Sequence, residues 1–405
     1  MNIATSPAHR PQTRRLIYLL GLLTAFAPFA TDMYLSSFPA IAASLGTSVD
    51  RVQYSLSTFI AGMAIGQLAY GPLIDRFGRK TPLLAGIGLY VLASLGLLCC
   101  RDIGLFVVLR LMQALGGAAG MIISRAIIRD LFDQRQAAEA LSTMMVVQGV
   151  GPIAAPIIGS YILELANWRA IFIFLTLFGT ACLLWSAHDL PETLPPERRE
   201  RQSPRAMLAT FGQLLARPRF IVPVLSSSCA IACMFAFISG SPFVFINLHH
   251  ISPQHYSWLF GLNALGMTLA SQINRHWLAR STPATLYRQA LLLNVCAGAA
   301  LFAVSGSSAT WLLVVPLFCC LATVPAIGAN ATAIAMSHCG ENAGSASALI
   351  GVLQFAIAGL VSALIALLHD GTARPMTGMI FACGLCAIAI ASAGKPAPAR
   401  QAMNS

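Results

Sequence analysis

Charge is what this sequence lacks most. Only 10% of its residues are charged and only 14 of 405 are acidic, against a hydrophobic share of 57% and a mean hydropathy of +0.73. Soluble domains draw roughly one-quarter of their residues from the charged set, so a fold surrounded by water is excluded and an integral membrane protein is expected. Short alternating segments are missing too, which removes an outer-membrane barrel. The long polar stretch in mid-chain holds no nucleotide-binding fingerprint, Walker lysine or phosphorylation-type site. Metal-ligand spacing is absent as well: His249, His250 and His255 crowd one loop without partners at zinc-site intervals. The 11 cysteines lie almost wholly in apolar runs, and even Cys383-Gly-Leu-Cys386 has no flanking His or charge, so it reads as small packing residues. The expectation is a protein that is not an enzyme and carries no cofactor.

What is present is a series of apolar runs about 20 residues long, the length of a membrane-crossing helix. Twelve occur, at 16–38, 51–71, 82–100, 103–124, 138–163, 168–187, 219–243, 254–274, 284–304, 310–334, 343–368 and 376–394. The first follows Arg14 and Arg15, is too long for a signal-peptide core, and is expected to remain as an uncleaved anchor.

A net charge of +11 would suit nucleic acid, but the placement of the basic residues points to topology instead. Three precede the first span, three lie in each of the loops at 72–81, 125–137 and 275–288, six in the central loop and two in the tail. Only Arg51, Arg101, Arg169 and Arg374 lie on the opposite side, and Arg110 falls within a span. By the positive-inside rule both termini are cytoplasmic.

The polar break from His188 to Arg217 divides six spans from six. The expected organisation is a six-helix bundle over 1–187, a cytoplasmic linker over 188–217 and a second bundle over 218–405 ending in a short tail. Moving the second half back by 199 residues lays Asn274-Arg275 on Asp75-Arg76, each pair following the second span of its half. Two repeated six-helix halves with a site between them near mid-membrane are the architecture of a secondary transporter.

Two charges inside spans are the first functional candidates. Asp32 lies in the run Leu16–Phe38, where an ionisable group costs about 2.5 to 3.5 kcal/mol and is usually tied to a cavity, a partner or a proton pathway. Snorkelling is the plain alternative, since Asp32 is about six residues, or roughly 9 Å, from the end of that run. Arg110 lies about seven residues into the fourth run, entered from the other side, and so at a similar depth. The two are expected to share a hydrated cavity as opposite charges.

The loop after the second run reads Gly71-Pro-Leu73-Ile-Asp75-Arg76-Phe-Gly78-Arg79-Lys80, and here the sequence resembles the major facilitator superfamily, whose signature is G-x-L-x-D-R-x-G-R-K. Gly71 and Gly78 would permit a tight turn and close helix approach, with Asp75 as a fixed charge. The resemblance implies a cytoplasmic latch built from Gly71, Asp75, Arg76, Gly78, Arg79 and Lys80, with Asp75 swinging towards Asn342 and Gly344 when the inner ends close. Arg110 and Gln113 match the second motif of the superfamily, although Ala114 replaces its usual glycine.

The fifth run carries Gln148-Gly149-Val-Gly151-Pro152-Ile-Ala-Ala-Pro156-Ile-Ile-Gly159, where prolines remove backbone donors and glycines admit a neighbouring helix. This Gly-Pro pattern resembles the bicyclomycin/chloramphenicol-resistance (Bcr/CflA) drug-efflux family. So do Thr31-Asp32-Met-Tyr34, Asn167-Trp168-Arg169, Ser241-Pro242-Phe243, Ser252-Pro253 and Gly344-Ser-Ala-Ser-Ala. Ser36-Ser37 departs from the family's usual Pro-Ala.

The resemblance implies an all-α membrane protein with twelve transmembrane helices in two six-helix bundles. It would act as a monomer in the inner membrane, exchanging protons for small drug-like molecules. Asp32 and Arg110 would couple the proton. Substrate would meet Asp32, Tyr34, Tyr54, Phe59, Arg110, Gln113, Gln148, Phe235 and Phe237. Gly151, Pro152, Pro156, Gly159 and Gly344 would serve gating beside the latch. An exporter dedicated to a nucleoside or amino acid is the alternative in the same class, and a non-transporting receptor the alternative outside it.

Overall fold

The structure, a computed structural model, describes residues 10–199, 204–337, 339 and 343–393. Among them all regular structure is helical. The first crossing, α1, is broken into Arg10–Thr24, Phe26–Asp32 and Phe38–Ser44, with a tight turn at Leu35–Ser37. Then follow α2 (Val49–Phe77), α3 (Lys80–Leu98), α4 (Ile103–Leu131), α5 (Gln134–Leu165) and α6 (Trp168–Asp189). A linker helix, Pro204–Leu215, leads to α7 (Pro218–Ser241, continued by a wider turn through Pro242–Leu248), α8 (Pro253–Trp277), α9 (Pro283–Ala303), α10 (Thr310–Met336), α11 (Ala343–Leu367) and α12 (Arg374–Ala393).

Eleven of these helices are long and apolar enough to cross a bilayer. The remaining one, α8, is diluted by Asn263, Gln272, Asn274 and Arg275, yet its 25 residues rise about 37 Å. Several helices outrun their apolar stretches: α2 and α4 each continue about six residues beyond the expected end, because a helix leaves the bilayer without unwinding.

The expectation of one straight first span is corrected. Pro28 offers no N–H to the carbonyl of Thr24, and the helix parts there. Thr24 Oγ1 turns back to the Gly21 carbonyl at 2.6 Å. A second interruption follows Asp32, where Ser37 Oγ donates to the Tyr34 carbonyl at 2.6 Å. Pro39 then opens the outer piece, which extends to Ser44 and places Asp32 deep in the crossing.

Side-chain caps explain two of the quoted motifs. Asn167 Oδ1 accepts from the N–H groups of Arg169 (2.9 Å) and Ala170 (3.3 Å), starting α6; Ser252 Oγ accepts from His255 N (3.3 Å), starting α8.

Between the halves, α2 packs on α11 and α5 on α8. Mapping α1–α6 onto α7–α12 carries the first contact into the second, as a two-fold repeat requires. Asn274, the counterpart of Asp75, accepts from Asn330 Nδ2 at 2.9 Å, a neutral version of the charged cluster described below.

An even number of crossings puts the chain ends, the α2–α3 loop and the linker on one side, here the terminal side. The far side is tied shut across the halves by Asp50 Oδ1 with His369 Nε2 (3.2 Å) and Glu164 Oε2 with Gln254 Nε2 (3.0 Å). Ser57 Oγ with Ser362 Oγ (3.1 Å) adds a third tie below them.

Candidate functional site

A cavity of about 350 Å³ lies between the halves. Its wall is aromatic and thioether-rich: Phe59, Phe235, Phe237, Phe260 and Phe355 alternate with Met63, Met121, Met234 and Met267. Thr24, Thr31, Gln148, Asn263 and Thr268 add neutral polar groups, and two charged side chains reach it, Asp32 and Arg125.

Asp32 sits at the end of the middle piece of α1 and is only 3% exposed. Its Oδ1 has no hydrogen-bond partner among the described residues. Snorkelling is ruled out by this burial and by the twelve residues of chain that follow before α1 ends. Tyr256 of α8 is fully buried, and its hydroxyl meets Ser241 Oγ of α7 at 2.8 Å.

The expected pairing of Asp32 with Arg110 is not formed. Arg110 is fully buried behind the wall, flat between Tyr34 and Phe59, with its guanidinium carbon 4.1 and 4.4 Å from the ring centroids. Its Nη2 donates to the Ala30 carbonyl at 2.9 Å and its Nη1 to Gln113 Oε1. Gln113 Nε2 passes the chain on to Ser94 Oγ at 2.8 Å. The physical reason is the break in α1: it strands the Ala30 carbonyl in a water-free place, and the planar fork satisfies it while the rings offset its charge. Arg110 therefore secures the helix end bearing Asp32 rather than neutralising it.

Of the residues expected at the substrate site, Asp32, Phe59, Gln148, Phe235 and Phe237 line the cavity, whereas Tyr34, Tyr54, Arg110 and Gln113 do not. Tyr34 is occupied with Arg110 and lies 3.3 Å from Ser55 Oγ. Tyr54 is five residues before Phe59 on α2 and so turned about 140° from the cavity face. Met234, beside Phe235 and Phe237 on the seventh run, is also a pocket residue by the sequence and lines the cavity; missing from the expectation are Arg125, Asn263, Met63, Met121 and Met267. Arg125 follows the end of an apolar run and so reads as a loop residue; its signal is the apolar period continuing through Ile123, Ala126 and Ile127.

The loop signature forms a compact cluster on the terminal side. Buried Arg79 donates from Nη1 to Asp75 Oδ1 (3.0 Å) and the Ile74 carbonyl (2.6 Å), and from Nε to Asp130 Oδ2 at the end of α4 (2.8 Å). Glu192 of the linker accepts from the N–H groups of Arg79 (2.8 Å) and Lys80 (3.2 Å), and Lys80 Nζ donates to the Ala187 carbonyl at 2.9 Å. Burial pushes the Glu192 carboxyl up, but the N–H groups of Arg79, Leu194, Lys80 and Thr193 outweigh it and hold it below the usual carboxylate range. Gly78 is left-handed at φ 85°, and a side chain there would strike Glu192.

Arg76 takes no part in this cluster and lies over Phe77, 5.1 Å from its centroid. Gly71 is corrected: it sits within α2 with open space around it, so neither turn nor close approach depends on it. In this conformation Asp75 faces Arg79. Gly344 is exposed and free of neighbours, and Asn342 and Glu341 lie outside the described residues.

In α5, which runs unbroken through Pro152 and Pro156, Gly151 and Gly159 do admit close approach. A Cβ at Gly151 would meet the Pro28 ring at 3.2 Å, and one at Gly159 would collide with the Met33 carbonyl.

A central cavity between two repeated six-helix bundles, tied together on the far side, has the architecture of a membrane transporter. The sequence matches the model of the Major Facilitator Superfamily over residues 20–363. It is 37% identical to an uncharacterized MFS-type transporter, YdgK, of Bacillus subtilis, over 90% of this chain and 92% of that protein. It is 32% identical to a bicyclomycin resistance protein homolog of Haemophilus influenzae, over 92% and 93%. Among solved structures a point mutant of the nucleoside transporter NupG superposes with a TM-score of 0.74 at 12% identity, over 95% and 98%, a likeness of fold alone. The chain therefore belongs to the major facilitator superfamily, in its bicyclomycin-resistance (Bcr/CflA) type.

Proposed function

We propose that this protein is a proton-coupled antiporter that exports small, mainly apolar molecules. The observation carrying the proposal is Asp32, a carboxylate in the cavity wall with an unpartnered oxygen and no counter-charge beside it. A carboxyl group in such a place can hold a proton and give it up when something arrives in exchange. In the far-side-open state Asp32 takes a proton. After the switch to the state seen here, cargo entering from the terminal side displaces it, and the proton leaves on that side. One carboxylate serving both events couples the two flows without a cofactor. Arg110 keeps the broken end of α1, and with it Asp32, in register through both states.

The basic residues of the terminal-side loops support a cytoplasmic position for that side, and hence export, in the inner membrane. The four methionines and five phenylalanines support breadth of cargo, since thioethers repack around different shapes. The relative named as a bicyclomycin resistance protein homolog agrees with drug-like cargo. We take the monomer as the working unit.

Everted vesicles test the reading: exchanging a proton for an uncharged cargo moves net charge, so collapsing either the membrane potential with valinomycin or the pH gradient with nigericin should lower cargo accumulation, and collapsing both should abolish it. Accumulation that survives the loss of both would rule out proton exchange.

A further inference from the structure

Arg125 is a second charged residue of the cavity, and nothing in the coupling scheme uses it. It projects from α4 into the wall and remains open to the cavity. Among the described residues it makes no ion pair or hydrogen bond. An unpaired guanidinium in such a place is an open recognition group: its planar fork of donors matches a carboxylate or similar oxyanion, and the surrounding apolar wall strengthens the attraction.

Its position relative to Asp32 follows from the packing of α4 on α1, where Gly120 abuts the Leu23 carbonyl. Arg125 lies five residues beyond that level towards the terminal side and Asp32 nine residues beyond it towards the far side. Their levels are thus about 20 Å apart at 1.5 Å per residue. The two charges mark opposite ends of one apolar chamber.

We infer that the cargo is an amphiphile carrying an anionic group, bound with its oxyanion on Arg125 and its apolar body among Met121, Met234, Phe235 and Met267. This rests on the transport reading above and names its cargo class. Asp32, at the other end, repels the anionic group, which orients the molecule with that group on Arg125. The separation also divides the work between the charges, since Arg125 selects cargo and Asp32 carries the proton.

The test is equilibrium binding to the purified full-length protein in neutral detergent, read by dansyl anisotropy. Three probes share one fluorophore: dansylglycine (anion), its methyl ester (neutral) and dansylcadaverine (cation). Wild type should prefer dansylglycine to the ester by about tenfold or more, the range for a hydrogen bond to a charged group. Arg125→Gln should bring that ratio close to one while retaining binding of the ester, which also shows that the variant is folded. Arg125→Lys should keep part of the preference. Equal affinity for the three probes, no binding of any, or an unchanged ratio in Arg125→Gln would overturn the inference.

Adding phosphatidylglycerol separates cargo from a lipid headgroup on the same guanidinium. Binding of dansylglycine that persists supports the cargo site, and stoichiometric displacement by the lipid contradicts it. Because no transport is measured, a negative result leaves the proton-exchange experiment standing, and failure of that experiment leaves this one interpretable.

Discussion

Arg110→Ala distinguishes the role assigned to this residue from a charge pair with Asp32. Removing the side chain strands two buried acceptors, the Ala30 carbonyl and Gln113 Oε1. Each orphaned group costs about 1 to 3 kcal/mol, so the loss is about 2 to 6 kcal/mol. Part of it is offset because a buried cation without a carboxylate partner disappears, and a net loss of about 2 kcal/mol is expected. Arg110→Lys should recover less than half, since a single ammonium cannot serve both acceptors as the planar fork does.

The assay is a double-mutant cycle on unfolding of the full-length protein in nanodiscs. Coupling of Arg110→Ala with Gln113→Ala should exceed about 1 kcal/mol, because the two side chains touch. Coupling with Asp32→Asn should stay within about 0.5 kcal/mol, as for groups sharing no contact. A strong coupling to Asp32 with a weak one to Gln113 would refute the reasoning and restore the ion pair.

Gly159→Ala should cost about 1 to 3 kcal/mol by forcing α5 away from the Met33 carbonyl; a thermal midpoint equal to wild type would contradict that close approach. Asp50→Asn removes the half-buried tie to His369, worth about 1 kcal/mol, and should raise the far-side-open population up to about fivefold in double-label distance measurements; an unchanged distribution would deny it a gating role. Glu192, with its carboxyl held below the ordinary range, contributes stability that is present above the ordinary carboxylate pKa and lost as pH falls through the lowered one. Hydrogen exchange at the Arg79 and Lys80 amides should therefore quicken at acid pH, and in Glu192→Gln the acid dependence should flatten; parallel profiles would exclude Glu192 as the clamp.

Much of the fold was legible because the bilayer imposes length and polarity on every crossing. The twelve apolar runs became eleven long helices and a broken first crossing, and Asp75, Arg79 and Lys80 of the signature form a cluster whose partners, Asp130 and Glu192, lie far off in sequence. The break in α1 was less legible: Pro28 announced it, but the strength of the apolar run from Leu16 concealed it. Depth alone misled for Arg110. Two opposite charges at one level suggested a pair, yet the freed carbonyl of Ala30 competes better for the guanidinium than a carboxylate facing the cavity. Arg125 was hidden for the opposite reason, since a basic residue at the edge of an apolar run obeys the positive-inside rule whether it ends in solvent or in a cavity. Which aromatics face the chamber depends on helix rotation, which separates Phe59 from Tyr54 and which residue type alone does not encode.

The central claim is that Asp32 carries the proton exchanged for cargo, and proton release on cargo binding tests it most directly. In weakly buffered detergent solution with a pH-sensitive dye, adding saturating cargo to the wild-type protein should release protons, and the same addition to Asp32→Asn, at concentrations where binding is confirmed, should release none. Undiminished release from Asp32→Asn would contradict the account and move the proton to another group.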